Sequence, residues 1–303
     1  MDLRIVRRAA RPQCGPRDAP RRAGRPRRTW RVPGHAAGPV FAYNRAAMDI
    51  NLLVVSVGNS RVAVGAFVRG ELVYTRRMPV TQREDFAGVV TEAWGHFGGE
   101  SAEVAGASVN PAASEGVEHA VTRATGRDVQ WVGREITLPI DVKTEKPQLT
   151  GVDRILVTAA AFEQMNKACV VVDAGTAITV NACDDKGAFV GGAIAPGAGL
   201  MLAAMHEHTS RLPAVTLAKP TGMIGTGTES AMLHGVFYAA RGLVKEVVEN
   251  YATQLGTWPD IICTGGDAEL LFGGWELVHA VSPDLLLYGI ALAYTEHHIA
   301  DEA

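Results

Sequence analysis

The sequence predicts an α/β protein built from two duplicated lobes with a cleft between them. The first observation is an internal repeat, because residues 54–60 align without a gap on residues 171–177, at an offset of 117 positions. The second is the order of elements in each copy, namely a β-branched strand, a glycine turn and two further strands joined by a hairpin turn. One such hairpin could arise by chance, whereas two in the same register indicate a duplicated domain.

The remaining elements follow in order along the chain. The second and third strands of the copies are predicted at residues 62–68, 71–74, 178–182 and 188–191. Helical periods predict helices at residues 83–97, 154–164, 229–255 and 285–298. Short apolar runs predict strands at residues 104–109, 129–132 and 260–264. We place the boundary between the lobes near Gly151, which gives an N-terminal lobe of residues 48–150 and a C-terminal lobe of residues 151–303.

Length and composition are those of a globular protein. The 303 residues are 47% hydrophobic and 20% charged, which excludes a mostly disordered, collagen-like or coiled-coil chain. The most apolar stretch, residues 191–205, is broken by Pro196 and is shorter than the roughly 20 apolar residues that cross a bilayer. Four cysteines without a CxxC spacing fit neither a disulfide framework nor a zinc site. We therefore expect a reducing, cytoplasmic location and no membrane partner.

Charge is distributed unevenly along the chain. Residues 1–47 contain twelve arginines, no lysine and two acidic residues, whereas the rest of the chain contains 17 basic and 30 acidic residues. The acidic body argues against a nucleic acid partner. The basic head has no helical or strand period and is predicted to be disordered. An extension upstream of a true start at Met48 is the favoured explanation, and a targeting peptide or a basic arm for nucleic acid or membrane are the alternatives.

The glycine turns that end the first strand of each copy suit phosphate binding. Glycine has no Cβ, so the backbone N–H groups of such a turn can approach an anion closely. A hydroxyl beside the turn, Ser60 or Thr176, adds a donor, and Asp173 can hold a hydrated cation that offsets phosphate charge. Two facing turns would hold a polyphosphate from both sides, although a pair of ordinary β-hairpins has the same pattern.

Two helix starts carry further candidate residues. Gly265 and Gly266 stand between a strand and a helix, where a flat ring can lie on the backbone and the helix N-terminus favours negative charge. A plain turn is the alternative there. Asp153 and Arg154 stand at another helix start, where a carboxylate within reach of a substrate hydroxyl can act as a base. The alternative for Asp153 is an acidic residue that only favours the helix dipole.

Together these motifs resemble the superfamily of sugar kinases, heat-shock ATPases and actin, and within it the type III pantothenate kinases and the related Bvg accessory factor proteins. The resemblance extends from about Met48 to about His298. The matching segments are residues 57–60 (VGNS), 151–154 (GVDR), 173–177 (DAGTA), 191–197 (GGAIAPG), 224–228 (IGTGT) with Met232 and Gly235, and 264–266 (TGG). The resemblance implies two duplicated ribonuclease H-like (actin-like ATPase) lobes with a central nucleotide cleft.

The resemblance also implies an activity and roles for individual residues. It implies ATP-dependent phosphorylation of pantothenate, the first step toward coenzyme A, by a cytoplasmic homodimer that uses Mg²⁺ and a monovalent cation, K⁺ or NH₄⁺. Asp153 resembles the general base, and Asp173 resembles the ligand of the monovalent cation. The implied substrate-binding residues are Gly151, Val152, Asp153, Arg154 and Thr228. The implied ATP-binding residues are Ser56, Val57, Gly58, Asn59, Ser60, Arg61, Thr176, Gly265 and Gly266.

Two departures from the family pattern bear on activity. The family's first turn begins with Asp, and this position is Ser56 here, which the repeat aligns with Asp173. Serine brings no negative charge to Mg²⁺, so we expect a rate penalty of about 10²–10³-fold. The neighbouring Arg61 is an alternative phosphate contact or a solvated strand residue. Before Gly151 the family usually has Tyr and Asn-Pro, whereas residues 144–147 of this chain are Thr-Glu-Lys-Pro.

Three functions are therefore compatible with the sequence. The first is a type III pantothenate kinase with a modified metal site. The second is a catalytically weak or inactive relative that acts as a regulatory or accessory binding protein, for which Ser56 is the main support. The third is another small-molecule kinase of the superfamily. An assay of phosphopantothenate formation separates the first from the other two.

Overall fold

Ten strands form two sheets in the part of the chain that the structure describes. The computed structural model describes residues 50–82 and 85–301, so the predicted basic head at residues 1–47 lies outside the described residues. The strands are β1 (Leu52–Val57), β2 (Arg61–Val68), β3 (Glu71–Pro79), β4 (Glu103–Ser108), β5 (Gln130–Trp131), β6 (Cys169–Ala174), β7 (Ala177–Cys183), β8 (Phe189–Pro196), β9 (Asp260–Thr264) and β10 (Ala280–Val281).

Seven α-helices accompany these strands within the same residue ranges. They are α1 (Phe86–Gly95), α2 (Pro111–Thr125), α3 (Val152–Met165), α4 (Ala198–Glu207), α5 (Thr228–Leu255), α6 (Ala268–Phe272) and α7 (Leu285–Asp301). A 3₁₀ turn, Pro147–Leu149, precedes α3. Among the described helices, none has both the length and the apolar character that spanning a bilayer would require.

The duplication predicted from the sequence is visible in the sheet topology. The first sheet has the strand order β3-β2-β1-β4-β5 and the second has the order β8-β7-β6-β9-β10, so equivalent strands take equivalent places. In each sheet the first three strands are antiparallel neighbours and the last two join in parallel. The offset of 117 positions carries the bounds of β1 onto those of β6. The prediction of two duplicated α/β lobes is confirmed.

A central hydrophobic core lies between the two sheets and is shared by both lobes. Helices α3 and α7 fill it, and they pack closely because Gly289 of α7 has no Cβ to collide with the backbone of Leu156. Leu285, Leu287 and Ile290 of α7 are buried there beside β1 and β6. Burial of each such side chain contributes about 1.5–3 kcal/mol, so α7 is a main support of the central core.

Two outer cores cover the opposite faces of the sheets. The first sheet packs against α1 and α2, and the second packs against α4, α5 and α6. Because side chains alternate along a strand, successive residues of β1 enter different cores. Val54 lies in the central core, whereas Val55 lies in the outer core of the first lobe. This alternation decides which residues at the strand ends face the cleft.

Several predicted elements are confirmed, and others are longer than predicted or were missed. Strand β9 has the predicted bounds, and α5 and α7 begin within one residue of the prediction. Strand β3 continues five residues past its predicted end, because the polar residues there lie on the exposed side of an outer strand. Helix α2 was missed because its buried stripe is short and consists only of Ala113, Val117, Ala120 and Val121.

The chain beyond the predicted lobe boundary contributes to the first sheet. Helix α7 contacts β1, β2 and β4, although it follows the whole second sheet in sequence. Arg77 of β3 also forms an ion pair with Asp284, just before α7. The boundary near Gly151 stays a prediction, and the C-terminal helix is shared between the two halves.

Candidate active site

Two glycine turns face each other across the cleft. We call residues 56–61 the first turn and residues 173–177 the second turn. In each turn the glycine N–H donates to the carbonyl of the residue that begins the next strand, at 2.9 and 3.0 Å respectively. The hydroxyl groups of Ser60 and Thr176 lie 2.7 Å apart and form a hydrogen bond between the lobes. The structure therefore brings the two sequence-predicted turns into contact.

Strand alternation directs the residue at the start of each turn toward the cleft. In β1, Val54 lies in the central core and Ser56 is the next residue on that face. In β6, Val171 lies in the same core and Asp173 is the next residue. The side chain of Val57 lies in the outer core instead, so only its backbone is available to a nucleotide. The positions that differ between the copies, Ser56 and Asp173, thus occupy equivalent places at the cleft.

Asp173 is enclosed by its surroundings. Burial, with a smaller contribution from the Asp153 carboxylate, raises the pKa of Asp173 to about 7. Gly265 has a φ of +96°, and a Cβ at this position would collide with Asp173 Oδ1 and with the carbonyl of Ala174. Glycine is required here both by the backbone conformation and by the close approach. The glycine after β9 therefore forms one wall of the Asp173 site.

Asp153 is positioned by the first turn of α3. The backbone N–H of Arg154 donates to Asp153 Oδ1 at 2.8 Å. A Cβ on Gly151 would lie 2.7 Å from the same oxygen, so this glycine leaves room for the carboxylate. Burial raises the pKa of Asp153, and the hydrogen bond and charge of Arg154 partly oppose that rise. A carboxylate with a raised pKa is a stronger base than an ordinary aspartate.

Arg154 is held by residues of the second sheet. Its Nε donates to Oδ1 of Asn181 at 2.7 Å, and its guanidinium lies over the Phe189 ring, 5.3 Å from the centroid. Asn181 is fully buried, and its Nδ2 donates to Thr179 Oγ1 at 2.9 Å. The sequence analysis missed Asn181. The available signal was an amide side chain in the middle of an otherwise apolar strand, where it needs a buried partner.

Arg61 extends from the first lobe to the second. Its guanidinium lies against Gly266, so close that a Cβ on this glycine would collide with it. Burial raises the pKa of the adjacent Asp267, and the charge of Arg61 partly opposes that rise. Arg61 therefore lies over the predicted adenosine-side turn. Glycine at position 266 leaves room for the guanidinium in this position.

The remaining predicted residues occupy the edges of the site. Asn59 is exposed at the tip of the first turn, and Val152 packs against the central core. Thr228 is exposed at the first position of α5. Within residues 50–82 and 85–301, no hydrogen bond joins Thr228 to another candidate residue. The structure therefore brings the two turns, Asp153 and the Gly265–Gly266 turn together, and within the described residues it shows no hydrogen bond from Thr228 to any of them.

The donor atoms in the cleft suit hard cations. The Asp173 carboxylate and the Ser56 hydroxyl are oxygen ligands, which Mg²⁺ and alkali-metal ions prefer. In the described part of the chain, no cluster of three or more His, Cys, Asp or Glu residues could hold a metal ion. Magnesium in kinases is usually bound by one or two carboxylates together with substrate phosphates. The residues present therefore fit a cation that the protein and a polyphosphate hold jointly.

This arrangement supplies what phosphoryl transfer requires. That reaction depends on positioning and charge neutralisation, with little covalent chemistry from the protein. The two turns offer N–H and hydroxyl donors for phosphate, and Asp153 offers a base. Fold and site together define a kinase with the actin-like ATPase fold.

Comparison with known proteins gives the family within this class. The family model for type III pantothenate kinase matches residues 52–250. A type III pantothenate kinase of Dehalococcoides mccartyi is 34% identical over 253 residues, which cover 82% of this chain and 98% of the relative. That of Brevibacillus brevis is 30% identical over 249 residues, which cover 80% and 98%. The chain belongs to the type III pantothenate kinase family, as its sequence motifs predict.

Solved structures support the fold. A protein described as a Baf family transcriptional activator from Campylobacter jejuni matches 82% of this chain and 99% of its own, with a TM-score of 0.53 at 20% identity. Component A of the (R)-2-hydroxyglutaryl-CoA dehydratase of Acidaminococcus fermentans matches 84% and 100%, with a TM-score of 0.51 at 16% identity. At these identities the likeness bears on architecture alone, and the predicted actin-like ATPase fold is confirmed.

Proposed function

We propose that this protein transfers the γ-phosphoryl group of ATP to the hydroxyl of pantothenate, giving 4'-phosphopantothenate for coenzyme A biosynthesis. Family membership supports the reaction. The observation that carries the proposal is the position of Asp153, a carboxylate of raised pKa beside Asp173 and close to where the two turns meet. An acceptor hydroxyl placed against Asp153 would lie near the end of a polyphosphate held by the turns.

In the proposed reaction, each group of the site contacts a particular part of ATP or of pantothenate. The backbone N–H groups of both turns, with the Ser60 and Thr176 hydroxyls, bind the phosphates of ATP. The Gly265–Gly266 turn receives the adenosine. A carboxylate oxygen of Asp153 accepts the proton of the pantothenate hydroxyl as that oxygen attacks the γ-phosphorus. Arg154 and Thr228 hold the rest of the acceptor.

Two cations complete the proposal. Asp173 would hold a monovalent cation, K⁺ or NH₄⁺, and Mg²⁺ would enter with the phosphates of ATP. Cations at these places neutralise charge on the transferring phosphoryl group. Ser56 would contact a water of the Mg²⁺ shell through its hydroxyl, in place of the charged contact that an aspartate would make.

A homodimer is part of the proposal. Met223 and Ile224 are 85% and 79% exposed in the segment before α5, and Tyr238 of α5 is 51% exposed. The Tyr238 hydroxyl donates to the backbone carbonyl of Met223, which places the segment before α5 beside this exposed aromatic side chain. An exposed apolar patch of this kind suits a second copy of the chain. Sedimentation equilibrium tests it, since Ile224→Lys should give a monomer where the parent gives a dimer.

A cytoplasmic location also remains a proposal. Cys169, Cys183 and Cys263 are buried free thiols. Thiols of this kind persist in reducing compartments.

The test of the proposed function is formation of phosphopantothenate by the full chain with ATP, Mg²⁺ and K⁺. Asp153→Asn should lower kcat by about 10²–10⁴-fold, because the general base is lost. Asp141→Asn makes the same chemical change at an exposed position and should leave kcat unaltered. Equal activity of Asp153→Asn and the parent would contradict the assignment of the base. Absence of product from the parent would contradict the reaction itself.

Ser56 favours a second candidate function. A family member without a charged first turn can bind ATP and pantothenate without turnover and act as an accessory or regulatory protein. Calorimetric binding of both ligands by a parent that forms no product would support this second function. A gain of activity in Ser56→Asp would then locate the loss at the first turn.

A further inference from the structure

Asn110 begins α2 and also contacts the first turn. Its Oδ1 accepts the backbone N–H of Ala113 at 3.2 Å, which is the bond of a helix N-cap, and Pro111 follows at the first helical position. Its Nδ2 donates to the backbone carbonyl of Gly58 at 3.3 Å. The amide oxygen faces an N–H group and the amide nitrogen faces a carbonyl, so one orientation of the amide satisfies both. A single side chain therefore joins the helix to the turn.

The neighbouring residues hold Asn110 in this place. Its backbone N–H donates to Ser108 Oγ at 3.0 Å, and Ser114 Oγ lies 2.6 Å from the same oxygen. The N–H of Val109 donates to the carbonyl of Val57 at 3.1 Å, which continues the parallel pairing of β1 and β4. The half-buried Asn110 amide therefore contacts the turn from a segment that is itself hydrogen-bonded to β1 and to α2.

The bond from Asn110 sets the direction of an N–H group in the first turn. The peptide unit between Gly58 and Asn59 is planar and trans, so its carbonyl and its N–H point in opposite directions. The carbonyl points to the start of α2, which packs on the outer face of the first sheet, and the Asn59 N–H therefore points away from α2, toward the cleft. Among residues 50–82 and 85–301 this N–H makes no hydrogen bond, so it is available to a phosphate oxygen.

The second turn is held differently. Its equivalent carbonyl belongs to Gly175, and no side chain in the described part of the chain donates to it. The backbone N–H of Asp267 instead donates to the carbonyl of Ala174 at 3.0 Å. The second turn begins with the Asp173 carboxylate, whereas the first begins with the neutral Ser56. The first turn therefore has only N–H and hydroxyl groups to offer a polyphosphate, and their orientation matters more.

We infer that Asn110 is a positioning residue for the first turn, which holds the Gly58–Asn59 peptide so that its N–H faces the phosphates of ATP. The inference rests on the proposed function, in which the first turn binds those phosphates, and it concerns a residue outside both turns. Because Asn110 also caps α2, its effect on the helix has to be separated from its effect on the turn. Substitution can separate them, since serine and aspartate cap helices about as well as asparagine and lack the amide N–H.

The decisive variant is Asn110→Ser, which keeps a cap for α2 and removes the amide donor without adding charge. KM for ATP should rise about 10-fold, the weight of one hydrogen bond to a charged group, with kcat within about threefold of the parent. KM for pantothenate should stay within about twofold, because the acceptor is proposed to bind at the start of α3. The melting temperature should change by less than about 1 °C. Asn250→Ser makes the same change at an exposed position of α5 and serves as the matched control.

Two further variants at the same position complete the series. Asn110→Asp caps α2 but places a carboxylate oxygen against the Gly58 carbonyl, so KM for ATP should rise at least as much as in Asn110→Ser. Asn110→Ala removes both the cap and the donor, so the rise in KM should come with a melting temperature about 2–4 °C lower. A rise in KM for ATP confined to Asn110→Ala would overturn the inference, because the residue would then act only through the stability of α2. An equal rise in KM for pantothenate would overturn it as well.

Equilibrium binding of nucleotide separates this inference from the proposed function. If the parent forms no phosphopantothenate, the proposed reaction fails, and calorimetry with MgATP and with adenosine still measures the role of Asn110. Binding of MgATP that is about 10-fold weaker in Asn110→Ser, with the affinity for adenosine unchanged, would support the inference by itself. Equal affinity of the parent and of Asn110→Ser for MgATP, an equal loss for adenosine, or no binding of MgATP by the parent would overturn it.

Discussion

The first and second turns share a backbone and differ in charge. Both end equivalent strands of equivalent sheets, and both close with a glycine N–H bond to the next strand. The second turn begins with Asp173, and burial raises the pKa of this residue. The first turn begins with the neutral Ser56. The hairpin thus forms in both copies, and its formation does not require a carboxylate at the first position of the turn. The charge at Asp173 therefore opposes stability, which is typical of a residue retained for function.

The largest expected effect comes from making the second turn like the first. Asp173→Ser removes the remaining carboxylate from the pair, so the proposed cation that would offset phosphate charge loses its ligand. We expect kcat/KM for ATP to fall by about 10³-fold, at the upper end for one preorganised electrostatic contact. Asp185→Ser, in an exposed turn at the other end of β7, is the matched control. Retention of full activity by Asp173→Ser would show that the two turns are functionally equivalent.

The converse change makes the first turn like the second. Ser56→Asp supplies the charge that Asp173 has at the equivalent place of the second turn, and we expect kcat to rise by about 10- to 100-fold at saturating Mg²⁺. Ser101→Asp adds the same charge at an exposed position of the first lobe and should leave kcat unchanged. A loss of activity in Ser56→Asp would mean that the neutral first turn is an adaptation and that Arg61 depends on it.

A smaller effect on activity is expected from replacing Arg61, a residue with no counterpart in the second turn. Arg61→Ala removes the guanidinium that lies on Gly266 between the lobes. We expect KM for ATP to rise about 10-fold, the value of one charged contact, with kcat less affected. Arg76→Ala on the exposed side of β3 is the control. A lower KM in Arg61→Ala would instead show that the side chain competes with the nucleotide.

The smallest effect concerns stability and pH. The pKa of Asp173 is about 7 in the folded protein and 3.8 for an ordinary aspartate. The folded state therefore binds the proton more tightly, and stability falls as pH rises from about 4 to about 7. In buffer without Mg²⁺ or K⁺, Asp173→Asn should melt about 2–4 °C above the parent at pH 8, and the difference should shrink toward pH 5. A difference independent of pH would contradict this account.

Sequence reasoning predicted the parts of the site that repeat or that carry glycine. The gapless register of residues 54–60 on residues 171–177 predicted the two facing turns, and Gly265 and Gly266 predicted the third wall. These signals are local, because a backbone segment that must approach a neighbouring segment closely leaves room for glycine and for no other residue type. Membership of the family and the fold were accordingly predictable.

The sequence did not reveal contacts made by long side chains across elements. Asn181 lies 27 positions from Arg154, and nothing in the spacing indicates that their side chains meet. Arg61 was predicted to contact phosphate or solvent, and in the structure it lies on Gly266 of the other lobe. Such contacts depend on how two sheets are placed relative to one another, which no local pattern encodes.

The position of α7 has a consequence for how the protein is made. The first sheet is synthesised before the whole second sheet, and the helix that covers its central face follows that second sheet in sequence. Until then Leu52, Val54 and Phe67 have no α7 to bury them, so the first lobe cannot complete its folding when its own strands are finished. The nascent chain therefore depends on protection of this face, and removal of α7 would leave the first lobe prone to aggregation.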